Sequence, residues 1–310
     1  MTNHHESGKS VLIVKTGAAG DVVRTTPVLR RLAGWAVDWF TAPGVRDLIE
    51  GTAVRNVYTD VGQLSPEQPY DLIINLEDEV DLVRAIGERV QGRRTFGSYV
   101  DVNGAIAYTE DSAPWFDMGL ISRFGRQNAD ALKLKNRLPY QVLLFGGLGW
   151  EFEGEPYVLP KQVPASDLRG DVGVAPKAGF RWPNKNWLYY DELIESLRAR
   201  YVVNVLPPRP TLLEHVADVD GHRMVIANDS LPMHVAIGLG KPCLAIFTCT
   251  SPWEIYDYGL LTKIVSPLLD KYFYQRTYAE EAVAAIEVSD VLAAAEAILS
   301  MPAGPRKVRR

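Results

Sequence analysis

The chain has 310 residues, 47% hydrophobic and 23% charged, with a net charge of −5. That composition is normal for a soluble globular protein long enough for two domains, and the acidic balance argues against broad nucleic-acid binding. No apolar run approaches the roughly 20 residues of a membrane span, residues 1–10 lack a signal-peptide core, and Cys243 and Cys249 make neither a disulfide framework nor a metal motif. Reduced thiols and a cytoplasmic setting are therefore expected.

Residues 11–14 are apolar and mostly β-branched, which suits a central parallel strand. Residues 15–20 form a turn of small residues. The spacing of Val22, Val23, Val28, Leu29 and Leu32 then predicts a helix over 21–32. Gly17 and Gly20 alone make neither a Walker A loop nor a full dinucleotide fingerprint. Further strands are expected at 37–40, after 54 and at 70–76, with a short helix at 46–49 and a longer one over about 79–90. This alternation predicts a doubly wound α/β sheet. Glu77, Asp78, Glu79 and Asp81 suit the first turn of a helix, which favours carboxylates. Arg93 and Arg94, and the run Arg123, Arg126, Lys133, Lys135 and Arg137, form either a solvated face or a surface for an acidic or phosphorylated acceptor. A helix is expected over 136–149, ended by Gly146, Gly147 and Gly149. Residues 151–164, rich in Glu, Gly and Pro, read as a linker. The predicted domains are 1–160 and 161–310.

The second half repeats the pattern. Strands are expected at 171–176, 201–206, 224–227, 243–247 and 263–265; helices at 188–200, 211–216, 232–239 and 290–299. A long loop over 248–259 holds Ser251, Pro252, Trp253 and Glu254. Asp229 and Ser230 are good N-cap residues, Pro232 fits a first helical turn, and Gly240 and Pro242 end that helix. Such a strand–turn–helix unit aims backbone N–H groups and a helix dipole at one spot, which favours a phosphate; the same turn also serves as plain capping. His234 stands one turn into the helix. Asp218-Val219-Asp220 has the form of an Asp-x-Asp metal site, but it precedes Gly221 and a strand, and no metal or cofactor is assigned to it. The tail from Arg306 to Arg310 is basic: a solvated tail, or a weak contact with an anionic membrane surface.

Two stretches carry a resemblance. Lys15-Thr16-Gly17-Ala18-Ala19-Gly20-Asp21-Val22-Val23-Arg24 and Asn228-Asp229-Ser230-Leu231-Pro232-Met233-His234, the latter continuing to Leu239-Gly240-Lys241-Pro242, resemble the N- and C-terminal signatures of the ADP-heptose:lipopolysaccharide heptosyltransferase family, glycosyltransferase family nine. Leu231 stands where most members carry Gly. The resemblance implies the fold known as GT-B: two doubly wound, Rossmann-like domains facing a central cleft, an N-terminal one for the acceptor and a C-terminal one for a nucleotide-sugar donor. Ligands of such sheets bind at the carboxyl ends of the strands.

The implied reaction is inverting transfer of a sugar, heptose by analogy, from a nucleotide diphosphate donor, ADP-heptose by analogy. The acceptor is a hydroxyl of a glycan, lipopolysaccharide-type or small molecule. Asp21 matches the family's proposed catalytic base. Lys185-Asn186-Trp187 matches a Lys-x-Trp that contacts the donor, with Arg181 as a neighbouring cation. Asn228, Asp229, Ser230, Met233 and His234 complete the implied donor site, and Thr16, Gly17, Gly20 and Arg24 an implied phosphate or acceptor loop. A base takes the acceptor proton, while cations and a helix N-terminus hold the departing diphosphate without a metal. Two rivals remain: a nucleotide-sugar-binding protein of this fold without catalysis, and a dinucleotide oxidoreductase, against which the missing Gly-x-Gly-x-x-Gly counts.

Overall fold

The computed structural model describes residues 8–67, 69–117 and 125–301. Arg123 and the basic tail lie outside them. The chain divides into two compact units: Met1–Ala129 with Gln141–Pro160, and Asp130–Tyr140 with Lys161–Arg310.

The first unit is built on a six-stranded sheet. Its strands are β1 (Ser10–Val14), β2 (Ala36–Phe40), β3 (Asn56–Tyr58), β4 (Tyr70–Asn75), β5 (Gly92–Val100) and β6 (Ile106–Tyr108), in the order β3-β2-β1-β4-β5-β6. All pair in parallel except β6, which returns antiparallel along β5 with Ser98 opposite Tyr108. β1 is central: Ile13 lies beside Trp39 of β2 and Ile74 of β4. Val11, Leu12, Ile13 and Val14 are fully buried, as an all-apolar strand covered on both faces must be. Each such side chain contributes about 1.5–3 kcal/mol by leaving water.

The helix expected over 21–32 is two helices, α1 (Ala19–Thr25) and α2 (Val28–Arg31). Pro27 has no N–H for the carbonyl of Val23, and Thr26 takes that carbonyl instead, with its N–H at 3.1 Å and its hydroxyl at 2.7 Å. The helix after β4, α3 (Val80–Arg89), is capped by Glu79, whose carboxylate accepts from the Asp81 and Leu82 amides. Glu77 and Asp78 precede the cap and do other work.

The sequence reading did not foresee β5 and β6. Arg93 and Arg94 lie on β5 and are paired with Asp71 at 3.0 Å and Asp111 at 2.9 Å. Gly97 on β5 has φ +111°, and a Cβ there would stand 1.8 Å from the Asn75 carbonyl oxygen. Only glycine lets β5 pass this close to the end of β4.

Two short helices follow, α4 (Ala113–Phe116) and α5 (Arg126–Lys135), and then α6 (Tyr140–Leu148). Gly146 and Gly147 lie inside α6 rather than ending it, because Gly147 packs against Phe96 and the Asp111 carbonyl, where a Cβ would not fit. The predicted linker has no regular element, yet its first part is pinned: Tyr157 is buried and the Val158 amide donates to the Thr26 hydroxyl at 2.8 Å. Part of the basic run is committed as well. The Lys133 ammonium sits 4.3 Å from the Tyr274 ring centroid and the Arg137 guanidinium 3.7 Å from that of Trp253.

The second unit has five parallel strands, β7 (Gly170–Ala175), β8 (Val203–Val205), β9 (His222–Asn228), β10 (Cys243–Phe247) and β11 (Leu261–Val265), in the order β11-β10-β9-β7-β8. Its helices are α7 (Tyr190–Arg198), α8 (Leu212–Asp220), α9 (Leu231–Gly238), α10 (Glu280–Ala284) and α11 (Val288–Ser300). α7 and α11 cover one face, where Leu193, Leu197, Val291 and Ala295 pack on Val174, Ile226 and Ile246. α8 runs longer than expected and contains Asp218-Val219-Asp220. Asp218 is buried and spent on Arg209 Nε and the Ser166 hydroxyl, each at 2.6 Å, so it holds the fold together. Both cysteines are free and buried. No described helix is long and apolar enough to cross a membrane.

Candidate functional site

In an open α/β sheet, ligands bind beyond the carboxyl ends of the strands where the strand order reverses. In the second unit that point lies between β7 and β9, since β8 stands outside β7 while β10 and β11 stand outside β9. Two chain segments meet there. One follows β7 and ends in a short 3-10 turn, Pro183–Lys185; the other is the turn from β9 into α9.

Asn184 fixes the first segment. It is fully buried; its amide donates to the carbonyls of Gln275 and Thr277, its side-chain oxygen accepts from the Ala279 amide, and its backbone carbonyl accepts from the Thr248 hydroxyl. Trp187 is a second anchor, buried with its indole N–H on the Ile286 carbonyl at 2.9 Å. In the Lys-x-Trp motif the tryptophan thus holds the loop, and Lys185 is the group presented. Its ammonium donates to the Asp229 carbonyl at 2.6 Å and to the Asp229 carboxylate at 2.8 Å. The Thr250 hydroxyl donates to the same carboxylate oxygen at 2.8 Å.

Burial would raise the Asp229 carboxyl. The charges of Lys185 and His234 and the hydrogen bonds from Lys185 and Thr250 outweigh it, and hold Asp229 well below the usual carboxylate range. Both partners are largely shielded, at 13% exposed for Lys185 and 15% for Asp229.

The expected capping role is not what Asp229 and Ser230 perform. Ser230 occupies the N-cap position with φ −155°, but neither side chain caps α9, because Asp229 accepts the stronger charge-assisted bond instead. The first turn is also short of free donors. Pro232 has no N–H, and the amides of Met233 and His234 turn back to the Ser230 carbonyl at 3.1 and 3.4 Å. The Met233 side chain is in the core, and His234 is buried within α9.

Around the pair lie polar groups with unmet demands. Both amide atoms of fully buried Asn228, and the hydroxyls of Ser230 and Ser251, are buried without a hydrogen-bond partner among the described residues. Such a group costs about 1–3 kcal/mol, so the site is polar beyond its own needs. Arg181 is exposed on the preceding turn. Beside it, Trp182 lies 5.3 Å from Tyr274 and 4.9 Å beneath the Arg276 guanidinium.

The first unit reverses its strand order between β1 and β4, and the other predicted residues gather there. The Glu77 carboxylate, just beyond β4, accepts from the Lys15 ammonium at 2.8 Å and from the Thr16 amide at 2.7 Å. Gly17 follows in the turn, with open space where its side chain would be. Gly20 and Asp21 fall in the first turn of α1, where a carboxylate is favoured. The Asp21 carboxylate is 37% exposed and 2.9 Å from Arg24. Asp78 is pushed up to about 6, by burial first and then by the neighbouring Glu77 charge; Lys15 and a hydrogen bond from Tyr108 pull the other way. Motif reading missed Glu77, Asn184 and Thr250. For Glu77 the signal was its position just past the end of a predicted strand; for Asn184 and Thr250 there was none.

The chain is therefore an α/β protein of GT-B-like fold, two Rossmann-like domains each with a lysine–carboxylate pair at its reversal point. Its residues 180–276 match the model of glycosyltransferase family 9 (heptosyltransferase), the family that the motifs resemble, over the segment that carries Lys185, Asp229 and His234. Solved structures of similar fold include a glycosyl transferase family 9 protein from Veillonella parvula, 16% identical over 96% of this chain and 99% of that one, TM-score 0.61. Others are E. coli heptosyltransferase WaaC with ADP (15% identical, 93% and 99% covered, TM-score 0.60) and E. coli ADP-heptose lps heptosyltransferase II (16%, 94% and 98%, TM-score 0.59). No curated protein matches by sequence.

Proposed function

We propose that this protein is an inverting glycosyltransferase that moves a sugar, heptose, from a nucleotide diphosphate donor, ADP-heptose, to a hydroxyl of a glycan, lipopolysaccharide-type or small-molecule acceptor. The observation that carries the reading is the Lys185–Asp229 pair at the β7/β9 reversal point, inside the family 9 segment, with the unpartnered polar groups of Asn228, Ser230 and Ser251 next in the chain to Asp229 and to Thr250, which bonds it. A nucleoside diphosphate brings acceptors for Lys185 and the serine hydroxyls, and donors for the Asn228 carbonyl. The ADP and the ADP-heptose in the names of two similar structures favour the same donor.

In this reading the second unit binds the donor and the first, 1–129 with 141–160, the acceptor. Lys185, with the α9 dipole behind it, offsets the charge that builds on the leaving phosphate, and Arg181 adds an exposed cation. His234 steadies Asp229. Asp21 takes the proton of the attacking hydroxyl, worth roughly 10²–10⁴-fold. Thr16, Gly17, Gly20 and Arg24 form the loop that presents it. No step calls for a metal, and a lipopolysaccharide-type acceptor would bring the protein to the inner face of the membrane.

The test is thermal stabilisation by ADP, UDP, GDP and NAD with magnesium or EDTA, followed by transfer from ADP-heptose. A shift with ADP that survives EDTA is expected, together with loss of transfer but not of ADP binding in Asp21→Asn. A shift with UDP or GDP alone would replace the donor, and loss of the shift in EDTA would overturn the metal-free mechanism. One observation favours a second reading, a nucleotide-sugar-binding protein without catalysis: Asp21 is already engaged by Arg24. That reading requires donor binding with no transfer to any acceptor.

A further inference from the structure

We infer that Glu77 is a positioning residue for Asp21, acting through the turn that joins β1 to α1. The inference rests on the reading of Asp21 as the base.

Glu77 is held from behind by the end of the sheet. Its amide donates to the Asn75 side-chain oxygen at 3.2 Å, and its carbonyl accepts from the Ser98 hydroxyl. Asn75 in turn donates to the Ser98 carbonyl at 3.1 Å, which the close passage of Gly97 makes possible. Asn75 and Ser98 are both buried. The backbone of Glu77 therefore has little freedom.

In front, one carboxylate oxygen takes two donors, the Lys15 ammonium and the Thr16 amide. Lys15 is itself fixed, its amide on the Phe40 carbonyl and its carbonyl on the Trp39 indole. Glu77 thus ties the first residue of the turn to the neighbouring strand end. Two residues, Gly17 and Ala18, separate the tied Thr16 from α1, and the Ala18 carbonyl already accepts from the Val22 amide. A turn this short transmits a displacement of Thr16 to the helix rather than absorbing it. Asp21 is in the first turn of that helix, where Arg24, three residues on along the same face, holds it at 2.9 Å. A general base works only within hydrogen-bond reach of its proton, and a misplacement of about 1 Å can cost about 10²-fold.

The experiment compares Glu77→Gln and Glu77→Ala with Asp21→Asn in transfer from ADP-heptose, with ADP-induced thermal shifts and hydrogen exchange at Thr16, Val22 and Val23. Glu77→Ala should lower kcat by about 10–100-fold, with donor KM and the ADP shift within about 2-fold of the parent. Exchange at the three amides should rise, while the α9 amides stay unchanged. Glu77→Gln keeps an acceptor for Thr16 and should recover most of the rate if the hydrogen bond carries the effect; a rate as low as that of Glu77→Ala assigns it to the ion pair. Parental kcat in both Glu77 variants, with Asp21→Asn inactive, overturns the inference and spares the base. Turnover surviving in Asp21→Asn overturns the base, and the inference with it. If Glu77→Ala does not fold, Glu77→Gln and Glu77→Asp carry the same comparison. If the parent transfers no sugar, unchanged exchange at Thr16 in these variants still refutes the tie.

Discussion

The two units place the same chemical pair at the same topological point and use it differently. In the first, Lys15 and Glu77 bridge β1 and β4 at 2.8 Å; in the second, Lys185 and Asp229 bridge the segments after β7 and β9 at 2.8 Å. Lys15 comes straight off its strand, and its partner is also tied to the backbone of Thr16, so that network is closed. Lys185 comes off a loop nailed down by Asn184 and Trp187, and around its partner lie an amide and two hydroxyls without partners. A closed pair holds backbone in place, whereas a pair with unmet neighbours has bonds to give a ligand.

The largest expected effect separates the two pairs. Lys185→Met and Glu77→Ala each strand a mostly buried charge, and each should destabilise the protein by about 3 kcal/mol in urea unfolding. Only Lys185→Met should also abolish the ADP-induced rise in Tm; loss of that rise in both variants would erase the distinction. Acid sharpens it next. Asp229 titrates lower in the folded than in the unfolded chain, so its stabilisation is present at neutral pH and fades as pH falls below about 4. Asp229→Asn should cost most near pH 7 and progressively less in unfolding curves below pH 4.

Asp78 has the opposite sign. Its folded value is raised from 3.8 to about 6, so the folded state binds the proton more tightly. The resulting penalty is absent below about pH 4, grows through the interval up to 6 and is complete above it. Asp78→Asn should therefore raise stability at pH 8 by up to about 2 kcal/mol, allowing for solvent screening, and the gain should vanish at pH 4. A gain that is equal at both pH values would refute the assignment. The smallest effect falls on Ser251. Removing its unpartnered hydroxyl in Ser251→Ala should stabilise the free protein by up to about 1 kcal/mol, while ADP binds up to about tenfold more weakly by calorimetry.

What could be read from the sequence was local. The apolar β-branched runs of β1, β9 and β10 announced buried parallel strands, and the caps and glycines between them announced turns. Lys185, Asp229 and Asp21 stood out because each sits inside a short, dense motif. Their partners did not. Glu77 lies 62 residues from Lys15, and Thr250 lies 21 from Asp229, so only the sheet brings them together. β5 escaped because its start is polar and its arginines point outward to Asp71 and Asp111. The helix break at Pro27 was readable, since proline inside a helical pattern removes a donor. The basic run looked like a ligand surface, although cation–π contacts of Lys133 and Arg137, which no one-dimensional pattern displays, already use part of it.

Both cysteines belong to the second unit, and both are buried. Burial pushes the Cys249 thiol up to about 11 and the Cys243 thiol higher still, so the folded protein presents almost no thiolate at neutral pH. An alkylating reagent therefore has to wait for the second unit to open, and the first unit is silent to it. The labelling rate reads the opening of the second unit alone, a clock against which the hold of any added ligand can be timed without a reporter group being added.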